Sequence, residues 1–199
     1  MRRTVFDATY LVLGLGDVYL GAPVAIPLDP HHQLVTAKHN PARPWTPENA
    51  VGIGGSYLCI CGMEGPGGYQ LFGRTIQVWN SWQRTAAFTQ RPLLRFFDRI
   101  RWHPVSEAEL LDAPAAFPHG RYDVRIEDGT FSILEQQAFL RAHADGIDAA
   151  RLRRRATFGA ERQDWAARGL DRFEEAVRPA PPDGDLPPAA SRSTVRCRG

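Results

Sequence analysis

Between Val51 and Thr75 the chain reads VGIGGSYLCICGMEGPGGYQLFGRT, with glycine at positions 52, 54, 55, 62, 65, 67, 68 and 73 among residues that favour β-strands. Glycine at this density inside strand-like sequence implies close backbone approach, bulges or turns with positive φ. Pro66-Gly67 fits the two central positions of a type II turn. On either side, Ser56–Met63 and Tyr69–Trp79 are apolar runs of strand length, so the block reads as a tight β-hairpin. Two readings stay open for it. One is a glycine-lined rim that admits a ligand; the other, slightly favoured by the residues alone, is a barrel corner.

The segments before this block are mainly β in character. Val5–Leu15 is a strand candidate, and Ala50–Gly55 is another. Between them, Pro27, Pro30, Pro41, Pro44 and Pro47 interrupt a long connection in which little central strand can form. Loops of that length in a compact domain are usually functional.

Beyond about Pro92 the pattern changes. LLRFFDRIRWHPV (residues 93–105) fits a short strand or a turn of helix. Ser106 with Glu109 has capping-box spacing and predicts a helix Glu107–Asp112. Tyr122–Glu127 alternates as a strand would and ends at Asp128-Gly129. Ser132 with Glu135 repeats the capping spacing and predicts a helix running towards His143. Phe139, Ile147, Leu152 and Phe158 suggest one apolar helical face, with Arg151, Arg153, Arg154 and Arg155 on another, which reads as a solvated face. Helix should end by Gly169 or a few residues beyond. Arg178–Gly199, rich in Pro, Ala, Ser and Arg, predicts a disordered tail.

At 199 residues the chain is long enough to bury about 70% of its unfolded surface. The formal net charge of +2 gives no support to nucleic-acid binding. Lys38 is the only lysine. A phosphate loop of the form G-x-x-x-x-G-K-S/T needs a lysine after glycine, and Lys38 follows Ala37, so no ATP site is expected in this chain. His31-His32 diverge in a loop, and His39, His103, His119 and His143 stand singly. No histidine or cysteine spacing fits a metal site. Cys59 and Cys61 alternate with Ile60 and face one side of a strand, roughly 6.6 to 6.8 Å apart by strand rise, near the upper limit for a bridge. They read as two buried, reduced thiols. No signal peptide or membrane span is legible, which makes the cytoplasm the default.

The block, with GLGDVYLGAPVAIPLDP (Gly14–Pro30) and KHNPARPWTPENAVGIGG (Lys38–Gly55), resembles the carboxyltransferase region of urea carboxylase and urea amidolyase (subdomains C and D). More closely, it resembles the part of that region shared with allophanate hydrolase subunit 1 and the KipI-like proteins. The likeness continues through PLLRFFDRIRWHPVSEAELLD (Pro92–Asp112) and EDGTFSILEQQAFLRAHADGI (Glu127–Ile147). It implies a mainly β fold with an α+β extension: a partial cyclophilin-like β-barrel, then a small α/β segment and a C-terminal helix. The implied organisation is a partial KipI-like subdomain over 1–90, a carboxyltransferase extension over 91–177 and a tail over 178–199. The resemblance also implies a fragment of a larger enzyme, lacking its biotin carboxylase and biotinyl domains.

The activity implied is transfer of a carboxyl group from carboxybiotin to urea, giving allophanate. Biotin would reside on a separate domain, since no Met-Lys-Met acceptor occurs here, and ATP would be used only in the parent enzyme's carboxylase domain. The implied partners are the remaining KipA-like carboxyltransferase half, the biotinyl domain and urea, with no nucleic acid and no membrane. Chemistry of this kind needs donors aimed at developing negative charge and groups that orient a small neutral substrate. Backbone amides around Gly67 and Gly68 suit the first task, and Gln70 and Arg74 suit the second. These two lie four apart on a strand, on one face and about 13 Å apart. Arg74 equally fits an ion pair with Asp17 or Glu64. Lys38 and Asn40, with Arg43, form a polar cationic group that would attract a carboxylated species or simply aid solubility. Asp17 and Tyr19 are candidates for urea contacts, with Tyr19 also fitting a core position. Two other readings remain: a non-enzymatic KipI-like interaction module, allied to 5-oxoprolinase subunits, and an inactive truncated product whose sequence departs from the family after about Val177.

Overall fold

The computed structural model describes residues 2–17 and 22–170, so Tyr19, Cys197 and the segment 178–199 lie outside the described residues. A short helix α1 (Arg2–Phe6) leads into β1 (Thr9–Asp17), which β2 (Ala22–Pro27) pairs antiparallel. The proline-rich connection holds a 3-10 turn, Pro30–His32, and the edge strand β3 (Arg43–Thr46). Then come β4 (Ala50–Gly54), β5 (Tyr57–Ile60), β6 (Gly65–Gly67) and β7 (Gln70–Arg74). The last strand, β8 (Arg99–Arg101), is followed by helices α2 (Glu107–Ala116), α3 (Ile133–Ala142) and α4 (Ala144–Ala167).

Six strands make one antiparallel sheet in the order β7-β4-β5-β2-β1-β8, curled into half a barrel, while β3 and β6 form a separate pair. The fold is mainly β with a helical extension, as the resemblance implied. Register decides which face is the core. Tyr10 opposes Ile100, Ala25 opposes Val12 and Leu58, and Val51 opposes Ile60. These residues point to one side, where with Ala8 and Val78 they form the buried cluster, joined by Phe72, Leu94 and Trp102. Each large aliphatic buried there is worth roughly 1.5–3 kcal/mol. A second, smaller cluster pins α2 to the chain after β7: Phe88 meets Phe117 at 4.9 Å, and Phe117 meets Tyr122 edge-on at 6.4 Å.

Helix ends follow the sequence closely. Ser106 Oγ accepts from the Glu109 amide and Ser132 Oγ from the Glu135 amide, both at 3.2 Å. These caps occupy amide donors that the first helical turn leaves unpaired. Helix α4 closes at Gly169 (φ 68°), with the Leu170 amide donating to the Trp165 carbonyl, an ending that glycine's freedom at positive φ permits.

Several expectations are corrected. The block around Pro66 is not a hairpin: β5 and β7 do not pair with each other, because β4 lies between them and pairs with both. Pro66-Gly67 is extended within β6 rather than a type II turn, and Gly67 is absent from the positive-φ glycines. The run from Val5 begins as helix, with β1 starting only at Thr9. Tyr122–Glu127 is irregular, since alternation without a neighbouring strand has no ladder to join. On α4, Leu152 is exposed while Arg154 is half-buried. At 3.6 residues per turn, Leu152 sits roughly 140° around the helix from Ile147, so the two do not share a face. His31 and His32 do not diverge, because both approach Asp29: His31 Nδ1 at 2.7 Å and His32 Nε2 at 3.8 Å.

Candidate active site

The glycine-dense block is a platform for one aromatic side chain. Gly52 and Gly54 sit on the sheet face opposite the core, because Gly52 opposes Cys59 while Val51 and Ile53 oppose core residues. A Cβ at Gly54 would collide with the ring of Tyr69, and one at Gly52 would lie 2.9 Å from the Gln70 carbonyl and 3.2 Å from Tyr69 Cβ. Glycine is required here for close approach, not for positive φ.

Around Tyr69 the proline-rich connection folds back onto the sheet. The Thr36 hydroxyl donates to the Ile53 carbonyl at 2.8 Å, and Thr36 pairs with Gly55 as an isolated bridge. Gln70 Nε2 donates to the Ala37 carbonyl at 3.1 Å, and the His39 amide donates to the Gly68 carbonyl at 2.7 Å. Lys38 Nζ lies 5.0 Å from the centre of the Tyr69 ring, within cation–π range. Arg43 Nη2 donates to the Tyr69 carbonyl at 2.6 Å. Gly67 and Gly68 are needed for this closure: a Cβ on the first would fall 2.6 Å from Thr46 Oγ1, and one on the second 3.0 Å from the His39 carbonyl.

Partial burial, with the Cys59 and Cys61 thiols nearby, raises the Tyr69 hydroxyl above its ordinary pKa. Burial likewise pushes the Cys61 thiol up, opposed by the positive charge of Arg43. The phenol and thiol are therefore held protonated at neutral pH, beside the basic side chains of Lys38 and Arg43. Such a group has the chemistry to attract anionic oxygen and to present neutral hydrogen-bond donors beside it.

Of the residues singled out in the sequence, Lys38, Gly67, Gly68 and Gln70 come together here. Asn40 follows in the same loop, exposed and joined to Pro41 by a cis peptide bond. Arg74 is not with Gln70. A register shift between their partners on β4 places Gln70 opposite Ile53 and Arg74 opposite Ala50, three residues apart and so on opposite faces. Arg74 is exposed, and no ion pair to it is found among the described residues. Asp17 ends β1 opposite Ala22, four strand positions from β7 in the sheet, a span of roughly 19 Å along a flat sheet. Tyr69 was not singled out in the sequence; a signal for it was the Gly-x-Gly spacing of β4, which leaves one strand face bare for an aromatic neighbour. Neither Cys59 nor Cys61 is in a disulfide, and both are half-buried. Among the described residues there is no metal-like group of His, Cys, Asp or Glu, and no helix is long and apolar enough to cross a membrane.

Residues 1–89 match the family model described as carboxyltransferase domain, subdomain C and D. Over most of its length the chain is homologous to the carboxyltransferase region of urea carboxylase and urea amidolyase. It is 43% identical over 152 residues to urea amidolyase of Saccharomyces cerevisiae, covering 74% of this chain and 8% of the relative. With urea amidolyase of Lachancea kluyveri it shares 39% over 167 residues, covering 83% and 9%. The crystal structure of Kluyveromyces lactis urea carboxylase superposes with a TM-score of 0.67 at 39% identity, covering 75% of this chain and 14% of that one. The chain thus spans only a small part of the length of these relatives.

Proposed function

We propose that this chain forms part of the carboxyltransferase site of a biotin-dependent urea carboxylase or urea amidolyase. The observation that carries the proposal is the convergence of Lys38, Arg43 and Tyr69 on the glycine platform of Gly52 and Gly54. The donor set fits carboxybiotin and urea: two cations suit a carboxylate and the protonated phenol suits a neutral ureido group, while Gln70 holds the connection in place through the Ala37 carbonyl. Carboxybiotin, when bound, would supply the carboxyl group that a urea nitrogen accepts, the displaced urea proton going to the ureido nitrogen.

Lys38 would neutralise the moving carboxylate, with Tyr69 holding the ammonium in place from below. Arg43 adds positive potential and, through the Tyr69 carbonyl, fixes the backbone on which the ring is carried. Gln70 and the Gly67-Gly68 backbone shape the wall against which a small planar substrate rests, with Asn40 at its rim. Asp17 belongs to the proposal only as a contact from the far side of the curl, Tyr19 only as a candidate read from the sequence, and Arg74 as an outer contact. Electrostatic preorganisation of this type commonly accounts for a factor of about 100 to 1,000 per donor removed. Biotin on its own domain, a KipA-like half and a cytoplasmic setting complete the reading.

A non-enzymatic interaction module is the second reading, favoured by the open sheet, whose edge strands β7 and β8 each have one side unpaired among the described residues. One experiment separates them. The chain is supplied to a urea carboxylase lacking the corresponding region, together with a carboxylated biotinyl domain, and urea-dependent loss of the carboxyl group is followed. Turnover that depends on the added chain supports the carboxyltransferase reading, and its absence despite stable association supports the module.

A further inference from the structure

Between Asn80 and Arg91 the chain makes a closed loop that takes no part in the site above. Its base is fixed by the isolated bridge Trp79–Pro92 and by the Asn80 amide donating to the Arg91 carbonyl at 2.9 Å. Asn80 is buried and braces the interior: its Nδ2 donates to the Pro118 carbonyl at 2.9 Å, while its Oδ1 accepts from the Trp82 amide at 3.0 Å and the Gln83 amide at 3.3 Å. Gln83 Nε2 donates to the same Pro118 carbonyl at 3.0 Å, and Phe88 anchors the far side against Phe117. The loop is thus tied at its base and along its inner side.

On this frame Trp82 is 90% exposed, the greatest exposure among the large apolar side chains of the described residues. It lines a cleft of about 420 Å³ together with Arg84, Gln90 and Arg91. Neither arginine makes an ion pair among the described residues. An exposed indole is costly in water, and tryptophan beside arginine is the composition that dominates binding energy at protein interfaces. These ties bear part of the ordering cost before a partner arrives, which favours tight association. The cleft is open and leaves Trp82 largely exposed at its wall, so a small molecule would bury little surface there. A chain segment covering Trp82 while placing carboxylates on the two guanidinium groups fits both features.

We propose that the Asn80–Arg91 loop is a docking surface for an acidic segment of a protein partner, with Trp82 as the apolar anchor and Arg84 and Arg91 as the carboxylate receptors. The test uses the full chain, labelled with nitrogen-15, and a capped octapeptide containing four glutamates and two leucines. That peptide should shift the Trp82 indole N–H resonance, identified by its loss in Trp82→Phe, and binding should weaken as salt rises. Its counterpart with glutamine for glutamate should bind about tenfold more weakly, and Arg84→Gln or Arg91→Gln should each cost about fivefold or more. Arg153→Gln with Arg155→Gln on α4 should leave binding unchanged. The proposal is overturned if Trp82 does not respond, if the α4 variant loses as much as the loop variants, or if a single-stranded octanucleotide displaces the peptide and binds more tightly.

Discussion

The ring of Tyr69 occupies the space that a side chain at Gly54 would need. This one relation explains why β4 is glycine-rich on its outer face and why the loop bearing Lys38 can close over it. Overpacking of this kind typically costs about 1–3 kcal/mol. Gly54→Ala should therefore lower stability by that amount in urea denaturation, and Tyr69→Ala in the same background should recover part of the loss. Additive losses would show that the two residues do not compete for one space.

The Cys61 thiol gives a chemical readout of the same region. Burial raises its pKa and Arg43 opposes the rise. Cys61 should alkylate with iodoacetamide more slowly in the folded chain than in urea at pH 8, and Arg43→Gln should slow it further. Because the folded value is raised, any stability linked to this thiol is complete below the ordinary thiol range and is lost as pH climbs through the folded value. Alkylation at the unfolded rate, followed by peptide mass spectrometry, would contradict the placement of Cys61.

Asp29 ties the 3-10 turn to both histidines. Partial burial works against its charged form, but the amide and ring of His31 and the charges of His31 and His32 outweigh it, holding the carboxyl below its usual range. A depressed carboxylate contributes stability that is present above its unfolded pKa and lost as pH falls through the folded one. Asp29→Asn should flatten the acid limb of the stability profile by under about 1 kcal/mol, given the exposure of the pair. An acid limb identical in the two proteins would remove this role from Asp29.

What was legible in the sequence was chiefly local. The caps at Ser106 and Ser132 were readable because donor and acceptor are three residues apart. The hairpin around Pro66 was misread because pairing is not local: β4 intervenes between β5 and β7, and nothing within residues 56–79 announces it. The same register explains the separation of Gln70 from Arg74, since one extra residue at a bulge reverses the face of everything after it. Lys38, Gly67, Gly68 and Gln70 were reached through the resemblance of their motifs. Tyr69 was missed because its part depends on what lies across the strand rather than along it.

The central claim is that Lys38, held over Tyr69, acts on the carboxyl group in transfer, and that Arg74, which opposes Ala50 four β4 residues away from Gly54 on the same outer face, does not. It is tested most directly by urea-dependent turnover in the reconstituted carboxyltransferase, comparing Lys38→Met and Arg74→Ala with the parent chain. The account predicts that Lys38→Met lowers kcat at least about a hundredfold with the fold intact, and that Arg74→Ala stays within about twofold, as expected for a surface change. An undiminished rate in Lys38→Met, or a large loss in Arg74→Ala alone, would contradict it.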